Sequence, residues 1–150
     1  MPPQLANRHK KRISAMTLID KFAPLLGRVL IALLFIPAGY SKAMNFGGTV
    51  GYIKSAGLPL PEVGAVIAVI VEVGIAAAVL VGYKARYAAL ILAVFTVAAA
   101  IGFHNFWAME EAKVMINRIQ FLKNLAVAGG LLFVAAYGAG PFSLDNRAKD

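Results

Sequence analysis

The chain has 150 residues, 60% of them hydrophobic and 15% charged, with a formal net charge of +8 and no cysteine. Its length suits one small domain, and its apolar residues collect in long runs with no amphipathic pattern, which is how a membrane protein reads. The missing thiols exclude disulfide exchange, iron–sulfur clusters and thiolate zinc sites for this chain by itself. The positive charge sits at the ends of the apolar runs and so reflects membrane orientation, not nucleic acid binding.

Residues 1–21 read as a basic, disordered cytoplasmic tail carrying Arg8, Lys10, Lys11, Arg12 and Lys21, suited to anionic lipid headgroups. Met16 is an alternative start to Met1. A cleaved secretory signal is the competing reading, but the apolar run is longer than a signal core and "YSKAM" is a poor small-residue cleavage site. A membrane-crossing helix needs about 20 mostly apolar residues, and the first such run is Phe22 to Ser41, with Arg28 and Pro37 inside it. The loop "NFGGTVGYIKSAGLPLPEV" follows. Its Gly47-Gly48 start, apolar Val50 and Ile53, and Gly57 before Pro59 and Pro61 predict a short interfacial helix with a firm stop. The second span is Val63 to Gly82, apolar except for Glu72, and the tight turn "GYKAR" leads into the uncharged third span, Tyr87 to Phe103. The connection "HNFWAMEEAKVMINR" carries Phe106 and Trp107, suited to a membrane–water boundary. The fourth span, Ile119 to Tyr137, has Gln120, Lys123 and Asn124 in its first two turns, and residues 141–150 read as a short cytoplasmic tail. The expected fold is an all-α integral membrane protein: an antiparallel four-transmembrane-helix bundle over residues 22–140, with a short interfacial helix in the first outer loop.

Basic residues set the expected orientation. Nine (Arg8, Lys10, Lys11, Arg12, Lys21, Lys84, Arg86, Arg147 and Lys149) lie in the two tails and the short turn. Four (Lys42, Lys54, Lys113 and Arg118) lie in the other two loops. An even number of spans with both termini cytoplasmic fits this asymmetry.

An ionisable group at the centre of a span costs at least ~2.5–3.5 kcal/mol on insertion scales, so such groups face the bundle interior and find one another. Gly64, Ala68, Glu72 and Ala76 recur every four residues and share one helix face, small enough for another helix to approach closely. Gln120, Lys123, Asn124 and Val127 share a face of the fourth span, extended by Asn117. Arg28, Ala32, Phe35 and Gly39 share a face of the first, with Lys42 near its outer end. At about 1.5 Å per residue, Glu72 lies near the midplane, roughly 7–8 Å in depth from both Arg28 and Lys123. The candidate site is therefore a buried polar cluster of Arg28, Glu72, Gln120, Lys123 and Asn124. Two readings of it stand: a set of contacts that only specifies helix packing, or the polar end of a pocket for a small ligand, a quinone headgroup or a proton.

His104 ends the third span and is a candidate proton relay at the outer face. It has no partner histidine for a metal, since His9 lies in the tail. Tyr40, Ser41 and Lys42 read as interface anchors, Glu110 and Glu111 as a solvated loop face, and Gly129-Gly130 as a close helix crossing. No phosphate loop, nucleophile elbow or metal-spaced His/Glu pair is present, so whether the chain is an enzyme stays open.

Several stretches in order resemble the DoxX family of small bacterial inner-membrane proteins. They are "GRVLIALLFIPAGYSKAMNFGG" in span one, "GYIKSAGLPLP" in the first loop, the central Glu followed by "VGYKARYAALIL", "FLKNLAVAGGLL" in span four, and the closing "GPFSLD". The likeness covers about residues 22 to 145. It implies a four-span bundle in the bacterial inner (plasma) membrane, and family members include membrane subunits of quinone-linked oxidoreductases, a thiosulfate:quinone type among them. Arg28, Glu72, Lys123 and Asn124 match the family's recurring polar positions. Relatives in thiol redox chemistry use cysteines, and this chain has none, so a direct thiol-oxidising role is not implied.

Three functions are therefore expected in decreasing order. The first is a membrane subunit or accessory of a quinone-linked redox system, with redox partner proteins and a non-covalent quinone at Glu72. The second is a non-catalytic scaffold or assembly protein. The third is a small-solute or proton-coupled transporter, whose missing inverted repeat a homo-oligomer would have to supply.

Overall fold

The computed structural model describes residues 3–147, with side chains from Thr17 onward. Helix α1 spans Pro3–Met44. Its helical backbone reaches back through the stretch expected to be a disordered tail. Leu, Ala, Lys and Arg are good helix formers, and a helix nucleated by the apolar span propagates through them at little cost. The first candidate membrane span is Thr17–Met44.

Helix α2, Phe46–Ser55, is the short helix expected in the first loop; Asn45 caps it by accepting a hydrogen bond from the Gly48 N–H at 3.2 Å. The chain turns through Leu58 to Leu60 and enters α3, Pro61–Val69, with proline in the first turn, where its missing N–H costs nothing. The same rod continues as a π-helical segment, Ile70–Ile75, and then as α4, Ala76–Val81. After the turn come α5, Ala85–Phe103, a single 3₁₀ turn at Phe106–Ala108, α6, Glu111–Tyr137, and α7, Leu144–Arg147. Among the described residues, four helical stretches are long and apolar enough to cross a membrane: Thr17–Met44, Pro61–Val81, Ala85–Ala108 and Glu111–Tyr137.

Helix α1 packs along the α3–α4 rod, the rod packs against α5, and α5 makes its most extensive contact with α6. The shared core is built largely from small side chains, Ala76, Ala88, Ala89, Ala93 and Ala128, around Phe35, Leu92 and Leu131. Small residues let helix backbones approach closely where lipid supplies no hydrophobic drive between helices. The large apolar residues instead point outward: Leu33, Ile70, Val94, Leu122 and Phe133 are all exposed. That inversion suits a bundle surrounded by hydrocarbon.

Helix α1 approaches the rod closely at Gly39. A Cβ there would stand 2.7 Å from Glu72 Cβ, 2.8 Å from Val73 Cγ2 and 3.1 Å from the Glu72 carbonyl carbon. The last of these is backbone, which no rotamer change relieves. Gly39→Ala should therefore push α1 off the π-helical segment and destabilise the protein by about 1–3 kcal/mol, read as a lower melting temperature in detergent. The paired glycines of α6 behave otherwise. Nothing stands within 4 Å of a Cβ at Gly129 or Gly130, so the close crossing expected there is not made within this chain.

Candidate functional site

The two ends of the bundle hold two separate polar sites. The loop end carries α2 and the Phe106–Ala108 turn, and the terminal end carries the turn before α5 and the C-terminal segment.

At the loop end, Glu72 lies in the π-helical segment and is 7% exposed. A π turn inserts one residue into a helix, loosens the regular hydrogen-bond ladder, and is found mostly at functional positions. Glu72 Oε2 accepts from Lys42 Nζ at 2.6 Å, an ion pair between the last turn of α1 and the middle of the α3–α4 rod. Thr49 of α2 ties in behind it, its hydroxyl donating to the carbonyls of Lys42 at 3.3 Å and Asn45 at 3.1 Å. The partner of Glu72 is thus Lys42, which sequence reasoning had placed at the interface as an anchor. The signal for it was present: Lys42 follows Gly39 by three residues, on the face of α1 that meets Glu72.

The pair stands on the wall of a cavity of about 570 Å³, walled mainly by apolar residues of α1, α2, α3 and α5. Lys123, Asn124 and His104 line the same cavity. Among the described residues Lys123 has no carboxylate partner. His104 Nδ1 is 3.0 Å from Asn117 Oδ1, and Asn117 Nδ2 donates to the Lys113 carbonyl at 3.0 Å. The Asn117 amide is therefore oriented with its oxygen toward His104, so Nδ1 is the donor in this contact. Three aromatic rings close the bundle beside it, Phe106, Trp107 and Phe121, in edge-to-face contacts of 5.2–5.6 Å. Tyr52 of α2 stacks on Phe103 at 5.1 Å and holds α2 against the cavity, whose wall both rings join.

Of the residues expected to cluster, Glu72, Lys123 and Asn124 meet at this cavity. Gln120 is half-buried on α6 but is not part of its wall. Arg28 does not join them. It lies 14 residues before Lys42, about 21 Å along α1, and it serves the terminal end. No group of three His, Asp or Glu side chains that could hold a metal occurs among the described residues.

Arg28 is fully buried. Its Nη1 donates to the Leu80 carbonyl at 2.6 Å, and its Nη2 donates to the carbonyls of Phe142 at 3.0 Å and Pro141 at 3.3 Å. Leu80 is in the last turn of α4, whose end carbonyls have no partner in the helix. The C-terminal segment thus folds back under the bundle. Asp145 secures it by accepting from the backbone N–H groups of Lys84 at 2.7 Å and Ala85 at 2.8 Å, the free donors at the start of α5. The Asp145 N–H returns a bond to the Gly82 carbonyl at 2.8 Å. Gly82 has φ +69° and would clash with Ser143 and Arg28 if it carried a Cβ, so the turn needs glycine twice over. Phe142 also stacks on Phe22 at 5.5 Å. Residues 141–147 of the segment read as a short tail are part of the folded bundle, and "GPFSLD" is the stretch that makes these contacts.

Four apolar helices around a half-buried ion pair and an apolar cavity define a small polytopic helical membrane protein. The chain belongs to the DoxX family, whose model matches residues 23–105. It is 39% identical over 123 residues to "Inner membrane protein YphA" of Escherichia coli, covering 82% of this chain and 88% of that one. It is 35% identical over 133 residues to "Inner membrane protein YqjF" of the same organism, covering 87% and 95%. A more distant likeness, 28% over 128 residues, reaches "ER-derived vesicles protein ERV29" of Saccharomyces cerevisiae, covering 82% of this chain and 33% of that protein. No solved structure matches the chain. The family match includes Lys42, Glu72 and His104, while Lys123, Asn124 and the C-terminal segment lie beyond it.

Proposed function

We propose that the chain is a membrane subunit or accessory of a quinone-linked redox system in the inner membrane, and that the cavity beside Glu72 receives a quinone headgroup and exchanges protons with it. The observation that carries this reading is the half-buried Lys42–Glu72 pair on the wall of an apolar cavity that also holds Lys123 and Asn124. A cavity of this size is within the range that encloses a small organic ligand. A quinone offers an apolar body and carbonyl acceptors. Lys123 and Asn124 supply donors for the carbonyls of the quinone, and the Glu72 carboxylate beside Lys42 supplies an acceptor for a hydroxyl of the reduced quinol and a proton-exchanging group. The chain carries no redox cofactor motif, so the electrons come from a partner protein in the membrane. With the termini cytoplasmic, as the basic residues favour, the cavity lies in the outer half of the bilayer.

A charge-assisted hydrogen bond is worth about 1.5–3 kcal/mol. Purified wild-type protein is thus expected to bind a short-chain quinone analogue about tenfold or more tightly than Glu72→Gln. Equal, negligible binding by both would end this reading.

A non-catalytic scaffold is the second reading. It draws support from the closure of the ion pair within the chain, since Lys42 and Glu72 satisfy each other with no ligand. Membranes from cells lacking the protein should then show a missing or weakened complex, and unchanged complexes would count against it.

A further inference from the structure

A second cavity, of about 400 Å³, lies at the terminal end and has no part in the reading above. It is formed between the start of α5, the end of α6 and the C-terminal segment, and Lys84, Arg86, Tyr87, Tyr137 and Asn146 are on its wall. The lining residues include one carboxylate, Asp145, and both of its oxygens are already engaged by the backbone N–H groups of Lys84 and Ala85. Neither Lys84 nor Arg86 has a carboxylate partner among the described residues. Lys84 Nζ lies over the Tyr83 ring, 5.8 Å from its centroid. Arg86 lies over Gly138, its Nε 3.5 Å from where a Cβ on that glycine would stand.

The backbone at Lys84 points the same way. Its φ is +43°, in the left-handed region, where glycine fits without strain and lysine does not. The strained position is held by Asp145 on its own N–H, and strain of this kind collects at ligand sites. The level in the membrane is fixed by the helices: α5 begins at Ala85 and α6 ends at Tyr137, so the cavity lies where two spans leave the hydrocarbon. Tyr87 and Tyr137 flank it and are 72% and 77% exposed, as tyrosines at the headgroup level are.

We propose that this cavity binds the phosphate of an anionic phospholipid headgroup, with Lys84 and Arg86 as its cationic partners. A guanidinium and an ammonium side by side complement a phosphate's oxygens. The two tyrosines at the ends of the spans place that phosphate in the headgroup layer, with the acyl chains running along the outer faces of α5 and α6.

Native mass spectrometry of the full chain tests this, in detergent with equimolar phosphatidylglycerol and phosphatidylcholine of identical acyl chains, with and without excess inorganic phosphate. The wild type should retain phosphatidylglycerol preferentially, and Lys84→Gln and Arg86→Gln should each reduce that retention about fivefold, the effect of one basic residue near an anionic headgroup. Arg147→Gln removes the same charge at the same end, outside the cavity wall, and should leave retention unchanged. Equal retention of the two lipids, or an equal loss in Arg147→Gln, would overturn the site. Displacement of the lipid by inorganic phosphate would overturn the lipid assignment in favour of a soluble anion. Should Lys84→Gln unfold because of its turn, Arg86→Gln, within the regular helix α5, decides the matter alone.

Discussion

Replacing Arg28 with leucine should release the C-terminal segment and destabilise the bundle by about 3 kcal/mol or more. The guanidinium has no exposed surface and donates to three carbonyls, those of Leu80, Pro141 and Phe142. A leucine fills part of the volume but leaves these acceptors facing an apolar side chain, and an unsatisfied buried acceptor costs about 1–3 kcal/mol. Arg28→Lys should be intermediate, because one ammonium cannot reproduce a fork that reaches α4 and the C-terminal segment together. Thermal unfolding in detergent gives the stability, and limited proteolysis between Gly138 and Arg147 reports the segment directly. Quinone-analogue binding by the folded Arg28→Lys protein should be unchanged, since the cavity at Glu72 is about 21 Å away along α1. A wild-type melting temperature with a protease-resistant C-terminus in Arg28→Leu would refute the clasp.

The spans were legible because they rest on a one-dimensional signal, about 20 apolar residues in a row. Chain-order reading also found the loop helix α2, since Gly47-Gly48 and the Gly57/Pro59 stop mark both its ends. Side-chain pairing was harder. Depth and helical face put Arg28 and Lys42 on the same stripe of α1, and depth offered Arg28 and Lys123 alike as partners of Glu72. Two features invisible in the stripe reversed the choice. The C-terminal segment folds back and supplies two of the three carbonyls that Arg28 engages, those of Pro141 and Phe142, though its composition reads as a polar tail. At the other end, α1 stays helical to Met44 and meets the rod at Gly39, bringing Lys42 inward to a carboxylate that lies deeper than the end of α1.

The π turn around Glu72 was not legible at all. Apart from Glu72, its residues, Ile70–Ile75, are as apolar as the regular helix on either side. A tertiary contact marks them: Gly39 lets α1 lie close against the Glu72 backbone and the Val73 side chain, and the widened turn accommodates that approach. The local price of the irregular turn is offset where the carboxylate reaches Lys42. Glycine, π turn and ion pair are one feature seen at three levels, so disturbing any of them should disturb the cavity.

That coupling is tested most sharply by a double-mutant cycle on the ion pair. Lys42→Met strands a carboxylate whose side chain is 9% exposed, and breaking a buried pair from one side costs about 3–5 kcal/mol. Glu72→Leu strands an ammonium that is 34% exposed and can turn its head toward the cavity mouth, so its cost should be smaller, about 1–2 kcal/mol. The double variant Lys42→Met/Glu72→Leu replaces the pair with apolar groups of similar size and should recover most of the loss, as apolar replacement of buried pairs commonly does. Unfolding in detergent measures all four corners. Additive losses would mean that the two side chains do not act as a pair. A recovered double variant also separates binding from packing in one protein. If it is stably folded yet no longer binds the quinone analogue, the pair belongs to the ligand site. If it binds as the wild type does, the pair only fixes the approach of α1 to the rod, and the donors that matter are Lys123 and Asn124.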